Sequence, residues 1–170
     1  MWIKVRIYVN FVSMSSVIWR NASNPVVSAI TQSIKLLWAL PVSLCALPLL
    51  PLAVWRARWR VCDRALEISS PALCWFLHGP WFRAMSGGDG FAAATIGHII
   101  VARDAQCLDR CRVHEHVHVR QCEQWGVLFP VAYAIAGLYA AIKAKQWEAY
   151  YCNNRFEQEA RAAESQSAQR

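Results

Sequence analysis

Charge is in short supply in this chain. Only 17% of its residues are Asp, Glu, Lys or Arg, while 56% are hydrophobic and the mean hydropathy is +0.19. Soluble domains carry about a quarter charged residues, so the composition argues against an ordinary soluble domain and for membrane contact. Acidic residues are the scarcer sign, 11 against 18 Lys and Arg, leaving a formal net charge of +7. The chain lacks any CxxC pair, and its seven Cys are an odd number. That excludes the even, closely spaced framework of a small secreted disulfide protein. The thiols read as reduced, small apolar fillers, with Cys107 and Cys111 set apart because they share a helical face with His114. No internal repeat is visible. No nucleic-acid motif is present either, and the basic residues are scattered or flank apolar stretches, so no nucleic-acid partner is expected. Nine Trp and a basic balance instead suit an interface with anionic lipid. At 170 residues there is room for one domain with a modest core.

Residues 1–34 read as an N-terminal extension, in which Lys4 and Arg6 precede a patchy apolar run interrupted by polar residues. From Leu36 to Trp55 there is no charge over about the length a bilayer requires. Pro41, Pro48 and Pro51 would kink a helix there. Residues 35–56 are therefore expected to form one membrane helix or a broken re-entrant segment. Arg56, Arg58, Arg60 and Arg64 follow at once, which favours a cytoplasmic C-terminal part. Lys4, Arg6, Arg20 and Lys35 on the other side weigh against it.

The remainder, 57–165, reads as a domain of α+β class, with 166–170 a disordered tail. WRVCDRALEIS, PALCWFL and the run ending Ile99-Ile100-Val101 are β-prone. They are punctuated by Pro71, Gly79-Pro80 and a Gly-rich stretch around Gly88. A small antiparallel sheet of about three strands is expected. Asp104 is placed to cap a helix that stops near Gly126. On it Cys107, Leu108, Cys111, His114, His118 and Cys122 recur on one face, with Arg110, Arg112, Glu123 and Gln124 mostly off it. Val127 to Ile142 is uncharged and helical in composition, with Pro130 in its first turn. Asn153-Asn154 marks a turn, and a short helix is expected from Phe156 to Ala163.

The long helix carries His114-Glu115-His116-Val117-His118, an HExxH sequence. Two His four residues apart lie one turn apart on the same side of a helix, so both imidazoles can reach one ion. Glu directly after the first His sits beside the open coordination position and can take a proton from water there. His114 and His118 are the expected zinc ligands and Glu115 the general base. His116 points away from that side and receives no role. A catalytic zinc wants a third protein ligand. Glu157, Glu159, Cys107, Cys111 and His98 are the residues available.

HExxH followed by Glu157-Gln158-Glu159-Ala160 resembles the gluzincin peptidases, including the membrane-bound HtpX and CaaX prenyl protease family, in which the Glu of Glu-x-x-Ala is the third ligand. That resemblance puts the third ligand on Glu157. More closely, residues 35–165 resemble a family of small uncharacterised bacterial membrane proteins. Their pattern is Gly-His and apolar residues, His-Glu-Arg-Val-His-Val-Arg-Gln, Trp-Gly, then Asn-Pro-Phe-Glu-x-Glu-Ala. Here the pattern appears as GHIIVARD, HEHVHVRQ, Trp125-Gly126 and Asn154-Arg155-Phe156-Glu157-Gln158-Glu159-Ala160, departing at His116 and Arg155. The resemblance implies a membrane-associated zinc metallopeptidase, with membrane lipid and a peptide or protein substrate as partners. The alternative is a zincin-fold scaffold or binding protein that no longer cleaves. It also imposes a constraint. If 127–142 crossed the bilayer, His118 and Glu157 would start on opposite sides and could not share an ion.

Overall fold

The computed structural model describes residues 25–54, 56–86 and 88–169. The chain divides into two compact units, Met1–Ile34 and Lys35–Arg170. The extension expected over 1–34 lies outside the described residues as far as position 24. Helix α1 runs Pro25–Leu44 with Pro41 inside it, and a 3-10 segment, Leu47–Ala53, follows. The uncharged stretch from Leu36 to Trp55 is thus not one helix. Pro48 and Pro51 supply no backbone N–H to an α-helical ladder, and the chain tightens into 3-10 turns where they occur.

Two hairpins build the sheet. Strands β1 (Arg58–Cys62) and β2 (Ala65–Ser69) pair antiparallel across a turn at Asp63-Arg64. Strands β3 (Ala93–Ile96) and β4 (Ile99–Ala102) do so across Gly97-His98. Strand β4 then lies parallel to β2, giving the order β1-β2-β4-β3. The fold is α+β as expected, but the sheet is mixed and has four strands. The segment PALCWFL, expected as a strand, is helix α2 (Pro71–Leu77). Ser70 caps it, accepting a hydrogen bond from the Leu73 N–H at 3.1 Å, and Pro71 stands in the first turn, where its missing N–H costs nothing. Helix α3 (Pro80–Ser86) follows.

Helix α4 spans Ala105–Trp125. The Asp104 carboxylate caps it by accepting from the Cys107 N–H at 2.7 Å, and Gly126 ends it, both as the sequence predicts. Glu123, expected mostly off the buried face, is only 5% exposed. Helix α5 (Phe129–Ala144) carries Pro130 in its first turn. A single-turn helix α6 (Ala149–Cys152) leads into α7 (Arg155–Ser167), which continues past the expected end at Ala163.

Side chains alternate across the sheet as the pleat requires. Ile100 and Ala102 of β4 pack with Ala65, Leu108 and Val119 against α4, while Val101 joins Ile68, Leu73 and Leu77 beneath α2. A third cluster, Ala39, Val42, Cys122, Phe129 and Phe156, brings α1, α4, α5 and α7 together. All seven Cys are free thiols. Burial and the Glu115 carboxylate push the Cys111 thiol up to about 11, which leaves it a protonated filler at neutral pH. Two helical runs are long and apolar enough to cross a membrane, Pro25–Leu44 and Ala105–Ala144. In the second, the apolar part is the α5 end, since α4 carries Asp109, Arg110, Arg112, Glu115, Arg120 and Glu123.

Candidate metal centre

Helix α4 lies across the sheet face formed by β2, β4 and β3, and α7 packs along its other side. His114 and His118, one turn apart, both turn toward α7. Their Nε2 atoms are 3.2 Å apart. Glu157, in the first turn of α7, meets them there. Its Oε2 is 3.2 Å from His114 Nε2 and its Oε1 is 3.2 Å from His118 Nε2. The three side chains are buried, and together they form a group able to hold a metal ion.

The far nitrogen of His118 orients its ring. His118 Nδ1 lies 2.8 Å from Gln121 Oε1, while Gln121 Nε2 donates to the Phe156 carbonyl and to Glu159 Oε2. Those two acceptors fix which end of the amide is oxygen, so His118 Nδ1 must carry the proton. His114 Nδ1 lies 3.6 Å from Glu164 Oε2, again an acceptor. In its neutral form His118 therefore aims a bare Nε2 lone pair at Glu157, and His114 Nε2 faces the same carboxylate. Second partners of this kind are what hold metal-binding imidazoles in place.

The carboxylate completes the set. Tyr133 Oη, from α5, donates to Glu157 Oε1 at 2.7 Å. Glu157 Oε2 is buried and accepts no hydrogen bond. A lone-pair nitrogen and an unsatisfied carboxylate oxygen facing one point repel one another unless a cation or proton lies between them. The residues present therefore fit a divalent metal. Burial opposes ionisation of Glu157, but the two imidazoles and Tyr133 outweigh it and hold the carboxyl well below its usual range. Burial likewise works against a charged His118, and Glu157 more than offsets it, raising that imidazole.

Glu115 stands next to the group. Thr95 Oγ1, on β3, donates to its Oε2 at 2.6 Å. Burial raises the Glu115 pKa, and His118 and Thr95 recover only part of the shift. The group borders a cavity of about 460 Å³. His114, Glu115, His118 and Glu157 line one side of it, and Phe91, Tyr150 and Tyr151 are among the aromatic residues lining the rest.

Of the other residues considered as a third ligand, none joins the group. Glu159 is exposed and bonded to Gln121. His98 faces Glu123 at 3.4 Å, Cys107 contacts Asp104 at 3.3 Å, and Cys111 packs in the sheet-side core. His116 lies off the group, as expected, and its Nε2 is 3.3 Å from Glu67 Oε1. Thr95, Tyr133 and Glu164 were not singled out from the sequence. Gln121 carried a signal, since it follows His118 at the spacing of one turn. Tyr133 carried none, because its reach to Glu157 depends on how α5 packs.

The site is a helix-borne pair of imidazoles closed by one carboxylate from a second helix. No family model, no curated protein and no solved structure matches the chain.

Proposed function

We propose that the chain is a membrane-associated zinc metallopeptidase of the gluzincin type. The observation that carries this reading is the convergence of His114, His118 and Glu157 on one buried point beside Glu115. Two imidazoles and a carboxylate suit zinc among the available divalent ions, and leave a coordination position for solvent. Bound there, zinc would polarise a carbonyl and make water a better acid.

The protein's own residues supply the rest. Glu115 is the general base. Its raised pKa brings it closer to neutrality, where a carboxylate accepts a proton and returns it to a leaving amine most effectively. Thr95 fixes which way that carboxylate faces. Gln121 keeps the His118 imidazole in the tautomer that leaves Nε2 free. The aromatic residues lining the cavity give a substrate side chain an apolar environment.

Membrane association is supported by the exposed apolar faces of α1 and α5. Leu37 and Leu44 on α1, and Ile135 and Ile142 on α5, are all exposed. Contiguous apolar surface of this kind marks a lipid or partner contact. The Arg56, Arg58, Arg60 and Arg64 cluster favours the cytoplasmic side of a bacterial inner membrane.

The test is zinc analysis of the purified full chain, with peptide-library cleavage by wild type and Glu115→Gln. About one buried zinc per chain, lost in His118→Ala, is expected. Cleavage should fall at least a hundredfold in Glu115→Gln while the metal is retained, in keeping with the weight of general-base catalysis. Zinc held with no cleavage by the wild type would convert the reading to a zincin-like scaffold. A folded chain that takes up no zinc at His118 would sink both.

A further inference from the structure

His116 sits between the two ligand imidazoles in sequence and looks the other way, toward the β1–β2 hairpin. At the end of β1 are Cys62 and, opening the turn, Asp63 with φ of 51°. The donor atoms of Cys62, Asp63 and His116 all lie within 4.8 Å of one another. We propose that these three residues form a second metal site, separate from the buried one, that takes a zinc-like divalent cation and pins the hairpin to α4.

The donor set is a thiol, a carboxylate and an imidazole, a mixture that suits zinc and excludes the hard cations that prefer oxygen alone. Ligands around a tetrahedral zinc stand roughly 3.3–3.8 Å apart, given bond lengths of about 2.0–2.3 Å. His116 Nδ1 and Asp63 Oδ2 are 3.9 Å apart. The remaining closure, on the order of 1 Å, falls to an Asp63 side chain that is 83% exposed and so free to turn.

A second observation is independent of the cluster's own spacing. The far nitrogen of His116, Nε2, is 3.3 Å from Glu67 Oε1. Glu67 is fully buried, and Arg112 grips it with two hydrogen bonds, at 2.9 and 3.2 Å. A buried, locked carboxylate behind an imidazole fixes the ring and raises its basicity as a ligand. It also puts the Nδ1 lone pair on the hairpin side. The buried site uses Gln121 in the same way.

The two sites differ in access. Cys62 and His116 are half-buried and Asp63 is exposed, so this cation would exchange with solution and keep a water in its fourth position. Its consequence is mechanical: it would add a tie between strand β1, which pairs in the sheet with β2, and the middle of the helix that carries both buried imidazoles.

The proposal does not depend on peptidase activity, and the thiol provides a readout that the buried site lacks. Metal-free full-length protein in detergent is titrated with Co²⁺. A thiolate-to-cobalt charge-transfer band in the near ultraviolet is expected. It should vanish in Cys62→Ser, persist in His118→Ala, and need at least tenfold more cobalt in Asp63→Asn. Zinc content should fall from two per chain to one in Cys62→Ser. Both hairpin substitutions are at accessible positions, which keeps the result independent of folding. No band at saturating cobalt, or a band that survives Cys62→Ser, overturns the proposal.

Discussion

Glu123 gathers charge from three elements. Arg64, in the hairpin turn, reaches its Oε1 at 2.8 Å. Lys35 of α1 lies 3.4 Å from Oε2, and His98, from the β3–β4 turn, 3.4 Å from Oε1. Burial alone would raise this carboxyl, but the His98 hydrogen bond and the Arg64 and Lys35 charges reverse the effect and hold it below 4.5. A depressed folded-state pKa stabilises the fold above the unfolded value and ceases to do so as pH falls through the folded one. Thermal melts should therefore show wild type losing stability as pH drops below about 4.5, with that limb reduced in Glu123→Gln. At neutral pH the same substitution should cost about 1–3 kcal/mol, because it removes the buried negative charge that Arg64 and Lys35 face. An unchanged neutral melting temperature would show that the cluster contributes nothing. At this scale the sequence was legible where residues repeat at helical spacing: His114 and His118 could be placed on one side of a helix from their phase, and Glu157 beside them from a motif. Glu123 could not, because α4 is buried against the sheet, α1 and α7 at once, and a single apolar stripe does not describe a helix covered on several sides.

Between α4 and α5 the chain turns at Gly126, where φ is 55° and ψ is −134°. An added Cβ there would lie 2.2 Å from the Trp38 ring. A Cβ added at Gly97 would lie 2.6 Å from the backbone nitrogen of Ser43, and the next residue's N–H donates to Ser43 Oγ at 2.9 Å. Two turns of the domain thus receive the Lys35–Leu44 end of α1 closely enough to exclude a methyl group. Gly126→Ala should destabilise by at least about 3 kcal/mol, combining a disfavoured backbone with displacement of Trp38. A chemical-denaturation midpoint unmoved by this change would mean that Trp38 is not seated there. Helix α4 was legible because period, cap and stop signals agreed, and α5 because an uncharged run of helical composition carries Pro130 in its first turn. Helix α2 was misread because its side chains are β-prone, while Ser70 and Pro71, the residues that start it, act on the backbone rather than on hydropathy. The parallel pairing of β2 with β4 leaves no local trace, since the contact joins residues far apart in sequence.

For the molecule as a whole, the sequence posed a conflict between a spanning α5 and a shared ion. The structure has Tyr133 of α5 bonded to Glu157 and His118 within 3.2 Å of the same carboxylate, so the apolar helix runs beside the site and does not separate its parts. With apolar residues exposed on both α1 and α5, the protein should behave as an integral one. Membranes washed with alkaline carbonate should keep the chain in the pellet. Quantitative release to the supernatant would leave only peripheral attachment.

Gln121 joins two matters that are usually separate. One amide holds the His118 ring and, through the Phe156 carbonyl, the start of the helix that delivers Glu157. The rotational freedom of that imidazole is thus given up when α7 docks, at the folding step, and an arriving cation has less disorder left to remove. Affinity at this centre would then be set as much by how firmly α7 is seated as by the three atoms that touch the ion.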